Sequence, residues 1–180
     1  MKREIIQKIE VPENVKISIE GNMVSARGPE GENKKKFNFS GLDVRIEGNR
    51  ITLECKKATK KEKKMINTAM AHLRNMIEGV SKKFEYLLKI CYSHFPITAE
   101  VKGNELVIKN FLGERTNRKC RIPQGAEVKV DKEIITVISS DREIAGQAAA
   151  NIEQATKIRK RDLRVFQDGI FMINKAGKEI

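Results

Sequence analysis

The chain has 180 residues, a formal net charge of +12 and a pI of about 9.7. Hydrophobic residues make up 39% and aromatic residues 5%, without Trp, which favours two shallow cores over one deep core. We expect neither a membrane span nor a signal peptide, because no run approaches 18 apolar residues and the first ten residues, MKREIIQKIE, lack an apolar core. Charge of this size predicts a polyanionic partner.

The cysteines are Cys55, Cys91 and Cys120. They are odd in number and widely spaced, and none belongs to a CxxC pair or another zinc-ligand grouping. This pattern favours reduced thiols in a cytoplasmic protein, without a metal site.

In chain order, the same elements occur twice. The turn Gly21-Asn22 recurs as Gly103-Asn104, and Gly31-Glu32 recurs at the same spacing as Gly113-Glu114. Val44-Arg45-Ile46-Glu47 aligns with Val128-Lys129-Val130-Asp131, and Ile51-Thr52-Leu53 aligns with Ile135-Thr136-Val137. Capping boxes are predicted at Thr59-x-x-Glu62 and at Ser140-x-x-Glu143. The shared order predicts a duplication over roughly residues 9–80 and 88–166.

In the first copy, apolar and polar residues alternate in short segments that predict strands. These segments lie at 15–19, 23–26, 37–39, 44–46 and 51–53, with turns at Gly21-Asn22 and at Gly28-Pro29-Glu30-Gly31. A helix is predicted from about Thr59 to Glu78, with Gly79 as its C-terminal cap.

The second copy predicts strands near 98–101, 106–108, 118–122, 128–130 and 134–138. Its helix is predicted from about Asp141 to Thr156, and the residues expected to face inward are Ile144, Ala148, Ile152 and Ala155. A further strand pair, Arg164–Phe166 and Phe171–Ile173, is predicted around the turn Asp168-Gly169. The fold class is α+β, a tandem duplication of a small unit of short antiparallel strands packed on one helix. The predicted domains are residues 1–83 and 84–180.

Positive charge is concentrated in two segments of the second copy. The first contains Lys109, Arg115, Arg118, Lys119 and Arg121, and the second contains Lys157, Arg159, Lys160, Arg161 and Arg164. Residues 122–156 between them hold three basic and six acidic residues. Since both segments include Arg, which grips phosphate with a planar fork, they predict contact with an RNA backbone.

A cluster at the start of the first helix is ambiguous, because the helix dipole disfavours cations there. It is either a contact with RNA or a neighbouring protein, or an exposed turn; its members are Lys56, Lys57, Lys60, Lys61, Lys63 and Lys64.

No catalytic site is predicted. Cys91 and His94 are three apart, which on a strand places them on opposite faces, and the better interpretation is a buried thiol and a hydrogen-bonded histidine at a strand end. The segment Gly28-Pro29-Glu30-Gly31 lacks the spacing of a dinucleotide loop, and neither GxxxxGK[ST] nor HExxH occurs. We therefore expect no enzyme, no cofactor and no small-molecule substrate. The few aromatic residues are needed for two cores, which favours binding by backbone and shape over reading of bases.

Several segments together resemble one family, the sixth protein of the large ribosomal subunit in its archaeal and eukaryotic form. They are Gly28-Pro29-Glu30-Gly31, Asn75-Met76-Ile77-Glu78-Gly79-Val80, the interdomain passage Phe84-Glu85-Tyr86 with Tyr92-Ser93-His94-Phe95-Pro96, Asn110-Phe111-Leu112-Gly113-Glu114-Arg115, the helix segment 149–156, and Phe166-Gln167-Asp168-Gly169-Ile170. The match covers nearly the whole chain, and the lysine–glycine-rich C-terminal motif of the bacterial branch is missing.

The resemblance implies a structural protein that binds large-subunit rRNA near the factor-binding centre. It implies that the second domain makes most of the RNA contact. The first would face the stalk side, with neighbouring large-subunit proteins near the stalk base as partners. The family's RNA-facing turn falls on Lys109, Arg115, Arg118 and Lys119, and the segment after its second helix falls on Lys157, Arg159, Lys160, Arg161 and Arg164. The alternative is a free RNA-binding regulatory protein.

Overall fold

The computed structural model describes residues 3–37, 39 and 41–180, and the side chains of Arg3 and Lys57 are not described. The chain forms two compact units, Met1–Lys83 and Phe84–Ile180, called unit 1 and unit 2 below. No helix in the described residues is long and apolar enough to cross a membrane.

The described residues of unit 1 form six strands followed by a helix. The strands are β1 Arg3–Glu10, β2 Lys16–Glu20, β3 Met23–Gly28, β4 Gly31–Lys36, β5 Asp43–Glu47 and β6 Arg50–Ala58, and the helix is α1 Lys60–Ser81. They form two antiparallel three-stranded sheets, ordered β1-β6-β5 and β2-β3-β4. The alternation of buried and exposed residues arises because successive side chains of a strand point to opposite faces.

Helix α1 covers the unit 1 core with one apolar face. Its buried residues include Ile66, Leu73 and Val80, which pack in one cluster with Ile51 and Leu53 of β6. The predicted capping box is present: the Thr59 side chain accepts from the Lys61 N–H, and the Glu62 carboxylate accepts from the Thr59 N–H at 2.8 Å.

The prediction that Gly79 caps α1 is wrong, because the helix continues to Ser81 and its cap is the extended residue Lys82. Tertiary contacts extend the helix by this half turn. Val80 is fully buried, and its carbonyl oxygen accepts from the Glu30 N–H at 3.0 Å. The chain at Gly28 passes so close that a Cβ there would lie 2.6 Å from the same oxygen.

Unit 2 contains eight strands, a short 3₁₀ turn and one α-helix. The strands are β7 Phe84–Cys91, β8 Thr98–Lys102, β9 Glu105–Lys109, β10 Arg118–Arg121, β11 Glu127–Asp131, β12 Ile134–Ser139, β13 Gly169–Lys175 and β14 Lys178–Glu179, with a 3₁₀ turn at Phe111–Gly113 and helix α2 at Arg142–Ala155. One sheet is ordered β11-β12-β7-β13-β14 and the other β10-β9-β8, and every pairing is antiparallel.

The strand pairing repeats the predicted duplication. The order β7-β12-β11 corresponds to β1-β6-β5, and β8-β9-β10 corresponds to β2-β3-β4. The register agrees as well, since Ile9 lies opposite Ile51 and Leu88 lies opposite Ile135. The predicted α+β fold class is confirmed, and the repeat extends further towards the N-terminus than the sequence indicated, to the pair β1 and β7.

Two predictions for unit 2 strands are wrong. Phe84-Glu85-Tyr86 is not an interdomain passage, because it opens β7, whose alternate residues Phe84, Tyr86, Leu88 and Ile90 are buried. Residues 164–166 form no strand, so the last hairpin is β13–β14, turning at Ala176 and Gly177 with positive φ. Asp168, expected in a hairpin turn, is instead buried just before β13. Its carboxylate accepts hydrogen bonds from the Ser93 N–H and hydroxyl.

Smaller corrections concern residues at element ends. Phe37 and Phe39 follow β4 instead of lying in a strand, their rings stack 5.4 Å apart, and Asn38 between them lies outside the described residues. Helix α2 is capped by Asp141, which accepts from the Glu143 N–H at 2.8 Å, and not by Ser140. Its buried residues are Ala145, Ala148, Ala149 and Ile152, whereas Ile144 and Ala155 are only half-buried.

Candidate nucleic-acid interface

The two basic segments of unit 2 meet where α2 ends. Arg118 lies on β10, and its guanidinium donates to the Ala155 carbonyl at 3.0 Å and to the Lys157 carbonyl at 3.5 Å. A helix C-terminus leaves its last carbonyls without intrahelical partners and carries a partial negative charge, so a cation there is stabilised. Arg118 therefore joins the first basic segment to the second.

The Arg118 guanidinium has further partners within unit 2. It donates to both carboxylate oxygens of Glu114, at 2.8 and 2.6 Å, and it lies 4.1 Å from the ring centroid of Phe111. The hydrogen bond from Arg118 holds the pKa of Glu114 below its usual range. Since carboxylate, carbonyl and aromatic partners surround this guanidinium, Arg118 acts first as a structural link.

An open cavity of about 380 Å³ lies between the two segments. Five of the residues predicted to bind RNA line this cavity, and Glu114 is the one carboxylate among its lining residues. The five are Arg118, Lys119, Lys157, Arg159 and Arg161, and the remaining wall consists of Leu112, Gln154, Ala155 and Ile158. These basic residues and this cavity are called the cationic groove below. Such a surplus of positive charge in a concave surface attracts phosphate.

The other predicted RNA-binding residues do not line the cationic groove. Lys109 pairs with Glu100 at 2.8 Å, and Arg164 pairs with Asp162 at 2.8 Å. Arg115, Arg121 and Lys160 are exposed to solvent. The structure thus brings together half of the residues predicted from charge.

The turn at one wall of the groove has a constrained backbone. Asn110, Leu112 and Gly113 have φ values of 58°, 50° and 73°, a region that non-glycine residues rarely adopt. The Asn110 amide donates to the Pro96 carbonyl at 3.0 Å, which helps to hold the turn. Because this conformation is fixed locally, it presents Leu112 and Glu114 to the groove in one arrangement.

An apolar surface beside the second basic segment was missed by the sequence analysis. A cavity of about 450 Å³ there is lined in part by Leu163, Phe166 and Phe171. Leu163 is 64% exposed, and the Arg161 guanidinium lies 4.8 Å from the Phe166 ring centroid. A count of charges cannot find this surface, but the apolar residues Leu163, Val165 and Phe166 among the charged residues of 161–164 are a signal that could have indicated it.

The remaining chemical candidates supply no reactive site in the described residues. Cys55 and Cys120 are buried, Cys91 is half-buried rather than buried as predicted, and burial raises the pKa of the Cys120 thiol to about 11. His94 is exposed and stacks edge-on against Phe95, so the prediction of a histidine hydrogen-bonded at the strand end gains no support. No group of three potential metal ligands occurs in the described part of the chain. In the lysine cluster at the start of α1, each described side chain is exposed.

The geometry describes a duplicated α+β protein with positive charge gathered in its second unit. A family model described as ribosomal protein L6 matches residues 11–83 and 95–169, one match in each unit. A protein of Methanobrevibacter smithii named large ribosomal subunit protein uL6 is 45% identical over 171 residues, covering 95% of this chain and 96% of the relative. A Methanococcus vannielii protein of the same name is 41% identical over 174 residues, covering 97% and 96%.

The chain therefore belongs to the ribosomal protein L6 family. As a member of that family, it is a structural constituent of the ribosome and not an enzyme. Both relatives are archaeal, in agreement with the archaeal and eukaryotic form that the sequence resembles.

Proposed function

We propose that this chain is a component of the large ribosomal subunit and binds large-subunit rRNA mainly through unit 2, residues 84–180. The observation that carries the proposal is the cationic groove. Basic residues separated by an acidic stretch of sequence lie side by side at the end of α2, linked by Arg118. The names of the two archaeal relatives support the assignment to the large subunit.

The groove binds the RNA backbone rather than the bases. Lys119, Lys157, Arg159 and Arg161 offer cationic donors around an open cavity, and phosphate oxygens are acceptors. Neutralised phosphates release counterions, which supplies most of the affinity in this mode of binding. Arg118 acts indirectly, by holding the groove together through Ala155 and Glu114.

The proposal extends to position within the subunit. In this proposal, unit 2 binds rRNA near the factor-binding centre and unit 1 faces the stalk side, with neighbouring large-subunit proteins at the stalk base as partners; the family resemblance supports this arrangement. Crosslinks from Arg159 to large-subunit rRNA, mapped by sequencing in assembled subunits, test this location. Crosslinks confined to rRNA far from the factor-binding centre would contradict it.

The binding test compares two full-length triple variants of equal charge. In the first, Lys157, Arg159 and Arg161 of the groove become Ala. In the second, Lys102, Lys129 and Lys132 become Ala; these exposed residues of the same unit lie outside the groove. We expect the groove variant to lose about tenfold or more in affinity for large-subunit rRNA by filter binding, equivalent to about 1.4 kcal/mol. The control should lose much less, and equal losses would refute a localised interface.

Sedimentation separates this proposal from the free regulatory RNA-binding protein that the sequence left open. A subunit component travels with large subunits in a sucrose gradient of cell extract, whereas a regulator stays mainly in the light fractions. Recovery of most of the chain in the light fractions would favour the regulator.

A further inference from the structure

We propose that the free edge of β1 in unit 1 accepts an extended peptide strand of another protein of the large subunit. This inference rests on the proposed function, because it names a kind of partner within the same assembly. It begins from a difference between the two copies. In unit 2, β7 lies between β12 and β13, whereas its counterpart β1 pairs only with β6 among the strands that the structure describes.

The residues of β1 that face the free edge follow from backbone alternation. In an antiparallel sheet, the N–H and C=O groups of alternate residues point to opposite sides. The Val11 N–H donates to the Asn49 carbonyl at 2.8 Å. The backbone N–H and C=O groups of Val11, Ile9 and Gln7 therefore point towards the β5–β6 hairpin. The N–H and C=O groups of Ile6, Lys8 and Glu10 therefore point away from it.

Unit 2 shows what fills the corresponding edge. The Ile90 N–H donates to the Glu133 carbonyl at 2.7 Å, just as the Val11 N–H donates to the Asn49 carbonyl in unit 1. Ile90 is therefore equivalent to Val11. Counting back five residues along each strand makes Glu85 equivalent to Ile6. The Glu85 carbonyl accepts from the Ala176 N–H at 3.1 Å, on the side of β13. Ile6 thus offers in unit 1 the acceptor that the last hairpin uses in unit 2.

The side chains of unit 2 indicate the chemistry of the occupant. β13 brings Ile170 into the core, fully buried opposite Ile90, and places Met172 opposite Leu88. The occupant of the β1 edge should likewise be an extended antiparallel segment with apolar residues at alternate positions, facing α1. Ile6, on the other face of β1, is 51% exposed and offers it a second apolar contact.

Unit 1 is adapted to leave this edge open before assembly. By the register with β6 and β12, Gln7 takes the place of the buried Tyr86, and its amide donates to Asn67 of α1 at 2.9 Å. A polar pair at that position tolerates water, whereas a tyrosine ring would need cover. Lys8 and Glu10 are exposed charges, which discourage unspecific pairing between edges.

A peptide strand fits this edge better than RNA does. The edge alternates donors and acceptors, and a strand satisfies both, as in recognition by strand addition. Phosphate oxygens only accept hydrogen bonds, so the carbonyls of Ile6, Lys8 and Glu10 would remain without donors against RNA phosphates. β1 has eight residues and no Pro or Gly, long enough for such a ladder.

The first experiment compares amide exchange in the free full-length chain and in assembled large subunits. We expect the amides of Ile6, Lys8 and Glu10 to exchange at least about tenfold more slowly in subunits, while Gln7 and Ile9, already bonded to β6, change little. Unchanged exchange at the three edge amides overturns the inference.

The second experiment compares Lys8→Pro with Lys8→Ala in the full-length chain. Both variants remove the charge, but only proline removes the edge N–H, and an edge strand tolerates it. We expect both to keep the thermal stability of unit 1 and the affinity for isolated rRNA, while Lys8→Pro competes about tenfold less well than Lys8→Ala for incorporation into subunits. Equal incorporation overturns the inference, as does a photocrosslink from Ile6 to RNA or to a second copy of the chain instead of another protein.

These outcomes are separable from failure of the proposed function. If the chain binds rRNA and enters subunits but the edge amides stay unprotected, only the strand inference fails. If it neither binds large-subunit rRNA nor travels with subunits, both proposals fail.

Discussion

At the scale of single residues, the partners of a cation decide what it can bind. Arg118 and Arg115 are three positions apart in the same predicted RNA-binding turn. Arg115 is exposed, whereas the Arg118 guanidinium is engaged by Glu114, Phe111 and the Ala155 carbonyl. Charge counting treats the two as equal, but their roles differ.

This difference predicts that two alanine substitutions affect different properties, one mainly stability and the other mainly rRNA binding. Arg118→Ala removes hydrogen bonds to a carboxylate and a helix end, so the free energy of unfolding should fall by about 1–3 kcal/mol. Arg115→Ala should change it by less than about 0.5 kcal/mol but should weaken rRNA binding. Urea unfolding and filter binding measure the two effects. If Arg118→Ala kept its stability but bound rRNA more weakly, the result would show that Arg118 contacts phosphate directly.

The same ion pair predicts a dependence of stability on pH. The pKa of Glu114 is lowered in the folded chain, relative to its ordinary value, by its hydrogen bond from Arg118. The pair therefore stabilises the fold above the ordinary pKa, and that contribution disappears as the pH falls through the lowered pKa. Glu114→Gln should thus be less stable than the parent chain at pH 7 and nearly equal to it in strong acid. Because Glu114 is substantially exposed, the effect should be small, and a difference that grows in acid would contradict it.

At the scale of elements, the start of α2 shows how local chemistry chooses between neighbouring residues. Both Ser140 and Asp141 are good cap residues, and only the spacing to Glu143 favoured Ser140 in the sequence. In the fold, the Asp141 N–H donates to the Ser139 hydroxyl, and that hydroxyl donates to the Gly125 carbonyl. These contacts set the last turn before the helix one residue later than the capping-box pattern predicts.

The cap predicts different costs for two adjacent substitutions. Asp141→Ala should lower the free energy of unfolding of unit 2 by about 1 kcal/mol, because the Glu143 N–H loses its acceptor. Ser140→Ala is the matched control and should cost clearly less. Calorimetry of the full-length chain measures both costs. A larger cost at Ser140 would show that Ser140, and not Asp141, caps the helix.

The sequence predicted most of the elements because their signals are local. Alternation marked the strands from β2 to β12 apart from β4 and β7, and Thr59 with Glu62 marked the start of α1. What it missed depends on distant contacts. β7 was taken for an interdomain passage because its two neighbours, β12 and β13, lie far away in sequence, and the end of α1 depends on Glu30.

The candidate site followed the same division. The basic segments were visible in the sequence, but where they meet depends on the packing of β10 beside the end of α2, which no local pattern encodes. The sequence analysis also did not assign the carboxylate partners of Lys109, Arg118 and Arg164, although Arg164 and Asp162 are only two residues apart. Two cations of the groove also have carboxylate partners, since Arg118 pairs with Glu114 and Lys119 pairs with Glu105 at 3.5 Å.

At the scale of the whole molecule, the proposed RNA binding predicts a strong dependence on salt. The logarithm of affinity should fall linearly with the logarithm of salt concentration, by about 0.7–0.9 for each phosphate contacted. The triple variant at Lys157, Arg159 and Arg161 should show a shallower slope than the parent chain, and the control triple variant at Lys102, Lys129 and Lys132 should keep the parent slope. Titrations from low to physiological salt check this. A parent slope near zero would refute electrostatic binding.

The position of β13 also affects the order in which the two units mature during synthesis. Every strand of unit 1 pairs within the first 58 residues, and α1 follows directly, so that unit is complete soon after Ser81 leaves the exit tunnel. β7 is made next but receives its second neighbour only with residues 169–175, almost at the close of translation. For that interval β7 carries an open edge like the one that β1 keeps, with buried-type residues such as Tyr86 and Leu88 beside it. Nascent unit 2 is therefore the stage at which this chain most needs protection from aggregation.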